Sequence, residues 1–200
     1  MSKWIGDRVS FEDDNNITTI IIRPLRVWWK EMLLTLWVLG FTFVGLVMIY
    51  LVFTGFASLN YQGEVDQETI DNQLIYGIVF IAFWAYFEFK VLKSLLWYRF
   101  GKELIKINET DMSIKKSIFS YGKASRFLFQ NIKNFSQRKD ENTSFGAYFE
   151  NAFWALGTDA LVFDYFKKTK SFGRRLDANS SRLLLRLIDD RVKKQLRRNK

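Results

Sequence analysis

The sequence predicts an α+β membrane protein: an N-terminal β-hairpin, two transmembrane helices, and a β-sandwich or barrel closed by a C-terminal helix. Three observations predict it. Residues 32–53 carry no charged side chain, and a helix rising about 1.5 Å per residue crosses a hydrocarbon core of about 30 Å over that length. A second uncharged run, residues 72–87, follows a short acidic connection. Beyond residue 100 the apolar residues fall into short strand-like runs, and the chain closes on an apolar stripe that repeats every fourth residue.

Taken in order, segments 4–11 and 17–23 flank Glu12, Asp13, Asp14, Asn15 and Asn16, and the run from Ile17 through Ile22 is entirely β-branched, which suits a pleated, half-buried surface. Two strands alone are marginal in water. The hairpin, residues 1–24, is therefore expected to join the sheet that follows the helices. Either Ile20 and Ile22 or Ile17, Thr19 and Ile21 would face the core, according to the register.

Residues 25–100 are expected to form the transmembrane hairpin, with spans at about 32–54 and 73–95. The 16 uncharged residues of the second run cover only about 24 Å, so residues 88–91 should lie near the boundary. Lys90 and Lys93 can snorkel, but Glu88 has a shorter reach and is costly there unless paired or hydrated. An ion pair between Glu88 and Lys30, or Arg26 at matching depth, is the expectation. Thr35, Thr42 and Glu88 are polar groups open to helix packing.

The flanks set the orientation. Arg23, Arg26 and Lys30 precede the first span and Lys90, Lys93, Arg99 and Lys102 follow the second, whereas the connection carries Glu64, Asp66, Glu68 and Asp71 with no Lys or Arg. Basic residues stay on the cytoplasmic side, so both termini are expected to be cytoplasmic. Trp28 and Trp29 at one end and Trp97 and Tyr98 at the other read as headgroup-level anchors. The first run is too long and begins too late for a cleaved signal peptide.

In residues 101–200, Gly101 ends the second helix and strands are expected at 103–108, 112–119, 125–135, 160–166 and 169–176, with Lys167 and Lys168 as a tight connection. Asp177 is placed to cap a last helix whose stripe is Leu184, Ile188, Val192 and Leu196. With the hairpin this makes seven strands and one closing helix.

Composition excludes whole chemistries. The chain of 200 residues has no Cys and no His, which rules out thiolate and imidazole metal ligands, disulfides, and Ser-His-Asp or Cys-His catalysis. No phosphate loop or glycine fingerprint occurs, and Asp189 and Asp190, adjacent on a helix, point in different directions. The expectation is a protein that is not an enzyme and uses no cofactor. From Glu88 onward there are 25 Lys and Arg against 12 Asp and Glu, a net of +13; this excess faces an anionic leaflet, and no nucleic-acid partner is expected.

The segments GKELIKINETDMSIKKSIF, QNIKNF and LVFDYFKKTKSFGRRLDANSSRLLLRLI resemble a family of small bacterial two-span membrane proteins with a cytoplasmic pleckstrin-homology-like (PH-like) domain, mostly uncharacterised. The resemblance extends to an N-terminal strand ending in a proline, here Ile20 to Pro24, and is most specific at FG near Phe172 and LD near Leu176. In layout the chain is also similar to the photosystem I assembly factor of cyanobacteria and chloroplasts. The resemblance implies a bacterial inner-membrane location and an assembly or scaffold role, with no catalytic residue to carry over. This chain departs from the compact pattern at residues 136–159, a long insert that sets Phe145, Tyr148, Phe149, Phe153 and Trp154 at helical spacing or alongside it.

Two functions from different classes follow. The first is a non-catalytic, membrane-anchored adaptor or accessory subunit that assembles or stabilises an integral membrane protein complex; the aromatic insert either packs onto the sandwich as a short helix or extra strand or serves as its partner surface, and both readings stay open at this stage. The alternative is a sensor of anionic lipid headgroups acting through Lys115 and Lys116. The oligomeric state stays open at this stage.

Overall fold

The computed structural model describes residues 2–14, 16–62, 67–138 and 155–198. In chain order these form β1 (Lys3–Ile5), β2 (Val9–Asp14), β3 (Ile17–Ile22), α1 (Trp28–Gln62), α2 (Gln67–Phe100), β4 (Gly101–Ile107), β5 (Asp111–Ile118), β6 (Ala124–Leu128), β7 (Ile132–Gln137), β8 (Asp159–Tyr165), β9 (Lys168–Arg174) and α3 (Ala178–Arg198). The fold is α+β. Two units are distinguished: Met1–Val27 with Leu96–Lys200, and Trp28–Leu95.

The first unit holds two antiparallel sheets, a six-stranded one in the order β1-β2-β3-β4-β5-β6 and a three-stranded one in the order β7-β8-β9. The expected strand 4–11 is interrupted at Gly6, whose φ of +58° is cheap only for glycine. The N-terminal segment is therefore a three-stranded meander instead of a hairpin. β3 pairs with β4, Ile20 opposite Ile105 and Ile22 opposite Glu103, although both long helices separate them in sequence. Ile20 and Ile22 are buried while Ile17 is exposed, which settles the register between the two alternatives.

The expected strand 125–135 is also two strands. A single 3-10 turn, Phe129–Asn131, carries the chain from β6 in one sheet to β7 in the other. Phe127 at the end of β6 and Phe129 at the start of the turn are both buried, in a core shared with Ile105, Met112, Leu161, Phe163 and Phe172. The β8–β9 connection is Phe166–Lys167 rather than Lys167–Lys168, because Lys168 already pairs with Tyr165.

Asp177 caps α3: its Oδ2 accepts the Ser180 N–H at 2.9 Å. Leu184, Ile188 and Val192 are buried, but Leu196 is 41% exposed and Gln195 is buried in its place. Helical geometry explains the exchange. Each step of four residues drifts about 40° around the axis, so three steps from Leu184 carry Leu196 about 120° away, while Gln195 returns to within about 20° of Leu184. The Gln195 amide donates to the Asn16 carbonyl at 2.6 Å.

The second unit is the helical hairpin. α1 and α2 contain 18-residue windows of mean hydropathy 2.4 and 1.6 and are long and apolar enough to cross a membrane. Leu36, Phe43 and Phe53 on α1, and Ile75, Val79 and Phe83 on α2, are exposed, as helices apolar all round are when their solvent is itself apolar. The helices meet through small residues and polar bridges. The Trp84 indole N–H donates to the Phe41 carbonyl at 3.0 Å, and a Cβ on Gly45 would stand 2.0 Å from the Trp84 ring. Gly45→Leu is expected to displace Trp84 and lower the thermal midpoint of the detergent-solubilised chain, whereas Gly40→Leu, with open space around its Cα, should leave it unchanged.

Candidate functional site

Trp97 and Tyr98, expected at the headgroup level, are instead buried in the first unit at 5% and 3% exposure. Arg174 lies over the Trp97 ring at 4.7 Å and Arg175 over Tyr98 at 5.5 Å, and the Tyr98 hydroxyl donates to the Ala155 carbonyl at 3.2 Å. Arg8 adds a bridge from β1–β2 by donating to the carbonyls of Arg23, Arg174 and Arg175. Trp28 and Trp29 stay exposed.

Lys116 is not a free headgroup contact. Its ammonium lies 2.6 Å from Asp159 and 3.4 Å from Glu103. Glu103, at 1% exposure, also accepts the Gly173 N–H at 2.7 Å, and Asp159 accepts the Ser171 hydroxyl at 2.8 Å with Arg174 at 3.6 Å. This clasp joins β4 and β5 of one sheet to β8 and β9 of the other. Lys115 donates to the Ser120 carbonyl at 2.8 Å.

Burial pushes the Asp159 carboxyl up, but Lys116, Ser171 and Arg174 outweigh it and hold the group below the ordinary aspartate value. A carboxylate lowered in the folded state contributes stability above its unfolded pKa and loses it as pH falls through the folded one. The domain should therefore lose stability on acidification below about pH 4. Thermal midpoints of Asp159→Asn against the parent chain check this: the variant should be less stable near neutrality and respond less to acid.

Glu88 and Lys30 do not form the expected ion pair among the described residues. Glu88 Oε1 accepts the Thr42 hydroxyl at 2.6 Å, a shorter-reaching partner on the facing helix, and Lys30 lies over the Trp29 ring at 5.4 Å. The second Glu88 oxygen is buried with no partner among the described residues. Phe145, Tyr148, Phe149, Phe153 and Trp154 fall outside the described residues.

The concave feature with binding chemistry was not singled out from the sequence. A groove of about 940 Å³ is lined by Phe127, Lys133, Tyr165, Phe166, Lys167, Lys168 and Lys170, among others. It opens where β6, an edge of the larger sheet, passes the β8–β9 hairpin. Phe127 meets Tyr165 edge to face at 5.0 Å to form its apolar wall. Lys168 is directly opposite Tyr165, and Lys170 opposite Phe163, so both lysines emerge on the face that carries the core, beyond its last aromatic ring. Lys133, Lys167, Lys168 and Lys170 are exposed and pair with no described residue. Asp164, the carboxylate in the lining, is engaged by Thr169 and Asn134. The result is an aromatic surface bordered by basic side chains, Lys168 and Lys170 on the core face and Lys133 opposite Asp164 on the other, suited to an anionic partner and offering no acid–base pair. The KKTK segment was the available signal, but Lys133 joins it only through the β7–β8 pairing.

Comparison with family models, with curated proteins and with solved structures found no match.

Proposed function

We propose that this chain is a non-catalytic, membrane-anchored adaptor of the bacterial inner membrane, whose cytoplasmic domain holds an acidic segment of an integral membrane protein complex. The observation that carries the reading is the lysine-bordered aromatic groove. The domain is read as a PH-like plan extended by β1 and β2. Pairing of β3 with β4 supports a hairpin whose two ends emerge on one side of the membrane, and the basic flanks favour the cytoplasmic side.

The headgroup-sensing alternative is less well supported, since Lys115 and Lys116 are engaged internally. The groove also lies at the Lys168 end of β9, about 20 Å along the strand from Arg174 and the Trp97 ring beneath it.

Reversing the charge at Lys133, Lys167, Lys168 and Lys170 with Glu tests the adaptor. These side chains are exposed, so the domain should keep its thermal midpoint, while the complex recovered from native membranes in mild detergent should lose the protein. Undiminished recovery would exclude the groove as the docking site.

A further inference from the structure

The β5–β6 connection is built against local preference. Ile118 and Tyr121 exchange backbone hydrogen bonds at 3.0 and 2.9 Å, closing a two-residue loop whose central residues, Phe119 and Ser120, have φ of +50° and +71°. Asn-Gly is the usual occupant of such a loop, and a bulky aromatic is an outlier there. The turn nevertheless holds Phe119 at 52% exposure and Tyr121 at 85%. Strain retained in order to expose two aromatic rings points to a contact outside the domain.

The position of the turn identifies that contact. Ile118 pairs with Gly101, and Phe119 stacks on Phe100 at 4.1 Å between ring centroids. Phe100 is the last residue of α2, five residues beyond the expected end of the second span at residue 95. Five residues of helix rise about 7.5 Å, the depth of one headgroup layer. With α2 crossing the membrane, Phe100 stands in the headgroup layer, and the ring stacked on it stands there too. Lys123 lies two residues beyond Tyr121, and Arg99 and Lys102 flank Phe100. Aromatic rings interleaved with basic side chains suit an anionic interface.

We propose that Phe119 and Tyr121 form a bilayer-interface anchor, seated among the anionic phospholipid headgroups at the cytoplasmic end of α2. The inference rests on the membrane-spanning reading of the hairpin and is independent of the lysine groove. It gives the domain a third attachment to the membrane beside its two helix junctions.

The absence of native cysteine makes single-site labelling clean. Tyr121→Cys, Phe166→Cys and Leu46→Cys would each carry a bimane fluorophore on the full chain, reconstituted into vesicles of equal parts phosphatidylcholine and phosphatidylglycerol. The Leu46 label should be quenched by an acyl-chain nitroxide lipid, reporting insertion. The Tyr121 label should be quenched by a headgroup nitroxide lipid and shielded from aqueous iodide, and the Phe166 label should show the reverse. A Tyr121 label as open to iodide as the one at Phe166, with Leu46 still quenched, overturns the anchor alone. An unquenched Leu46 label overturns the spanning reading and the anchor with it.

A second variant separates anchoring from packing. Phe119→Asn together with Tyr121→Ser relieves the left-handed backbone, so the thermal midpoint in detergent should hold or rise, while a label at Lys123→Cys loses most of its headgroup quenching. A falling midpoint with quenching retained would mean that the two rings serve the domain instead of the bilayer.

Discussion

Replacing Phe163 with alanine is expected to lower the unfolding free energy of the β-sheet domain by about 4 kcal/mol, the range for a fully buried aromatic whose cavity only partly collapses. The Phe163 side chain is at 0% exposure. Its ring stands 5.1 Å from Phe127 of the larger sheet, 5.6 Å from Phe135 and 5.9 Å from Phe172, so truncation removes contacts between the two sheets as well as within one. Against a total domain stability of about 5–15 kcal/mol, such a loss is a large share. Denaturant titration in mild detergent measures it, with Phe166→Ala as the reference. Phe166 is aromatic, one turn away and 67% exposed, and its truncation should cost no more than about 0.5 kcal/mol. Equal costs for the two variants would contradict the packing described.

Glu103→Ala should cost about 3 kcal/mol, because it leaves the buried Gly173 N–H without its acceptor and removes one of the two carboxylates facing Lys116. Glu103→Gln keeps an acceptor for Gly173 and should recover part of the loss. Asp159 still pairs with Lys116 in both variants, so the ordering Glu103, Gln, Ala isolates the contribution of the Gly173 hydrogen bond. Equal stability of the Gln and Ala variants would place the whole effect in the ion pair.

The helical hairpin was the most legible part of the chain, because its signal is composition over a length that bilayer thickness fixes. Strand positions in the second half were also legible from short apolar runs. The division into two sheets was not: the segment from Ser125 to Phe135 reads as one strand, and only tertiary packing reveals the 3-10 turn at which it changes sheet. Trp97 and Tyr98 misled for a different reason. An aromatic pair after a span looks the same whether it meets headgroups or packs beneath Arg174 and Arg175, and composition cannot distinguish those surroundings. Leu196 failed because a repeat of four drifts off a helix face. The lysine groove combines β7 with the β8–β9 hairpin, so Lys133 joins the other lysines only through strand pairing, whereas the clasp that engages Lys116 takes Glu103 from directly across the β4–β5 hairpin and Asp159 from the other sheet.

The ladder between β3 and β4 has a consequence for how the protein is made. The first three strands leave the ribosome before either helix, and β3 then waits for a neighbour that is translated only after the entire hairpin. In a membrane, β4 can reach β3 only once both helices have entered and the second has returned the chain to the side of the first. A nascent chain that inserts just one helix leaves β3 with an open edge, a surface prone to wrong pairing, and the two parts of its sheet stranded in different compartments. With the hairpin crossing a membrane, closure of the sheet would act as a checkpoint on insertion: the β-sheet domain would mature only in molecules whose hairpin is threaded through and back.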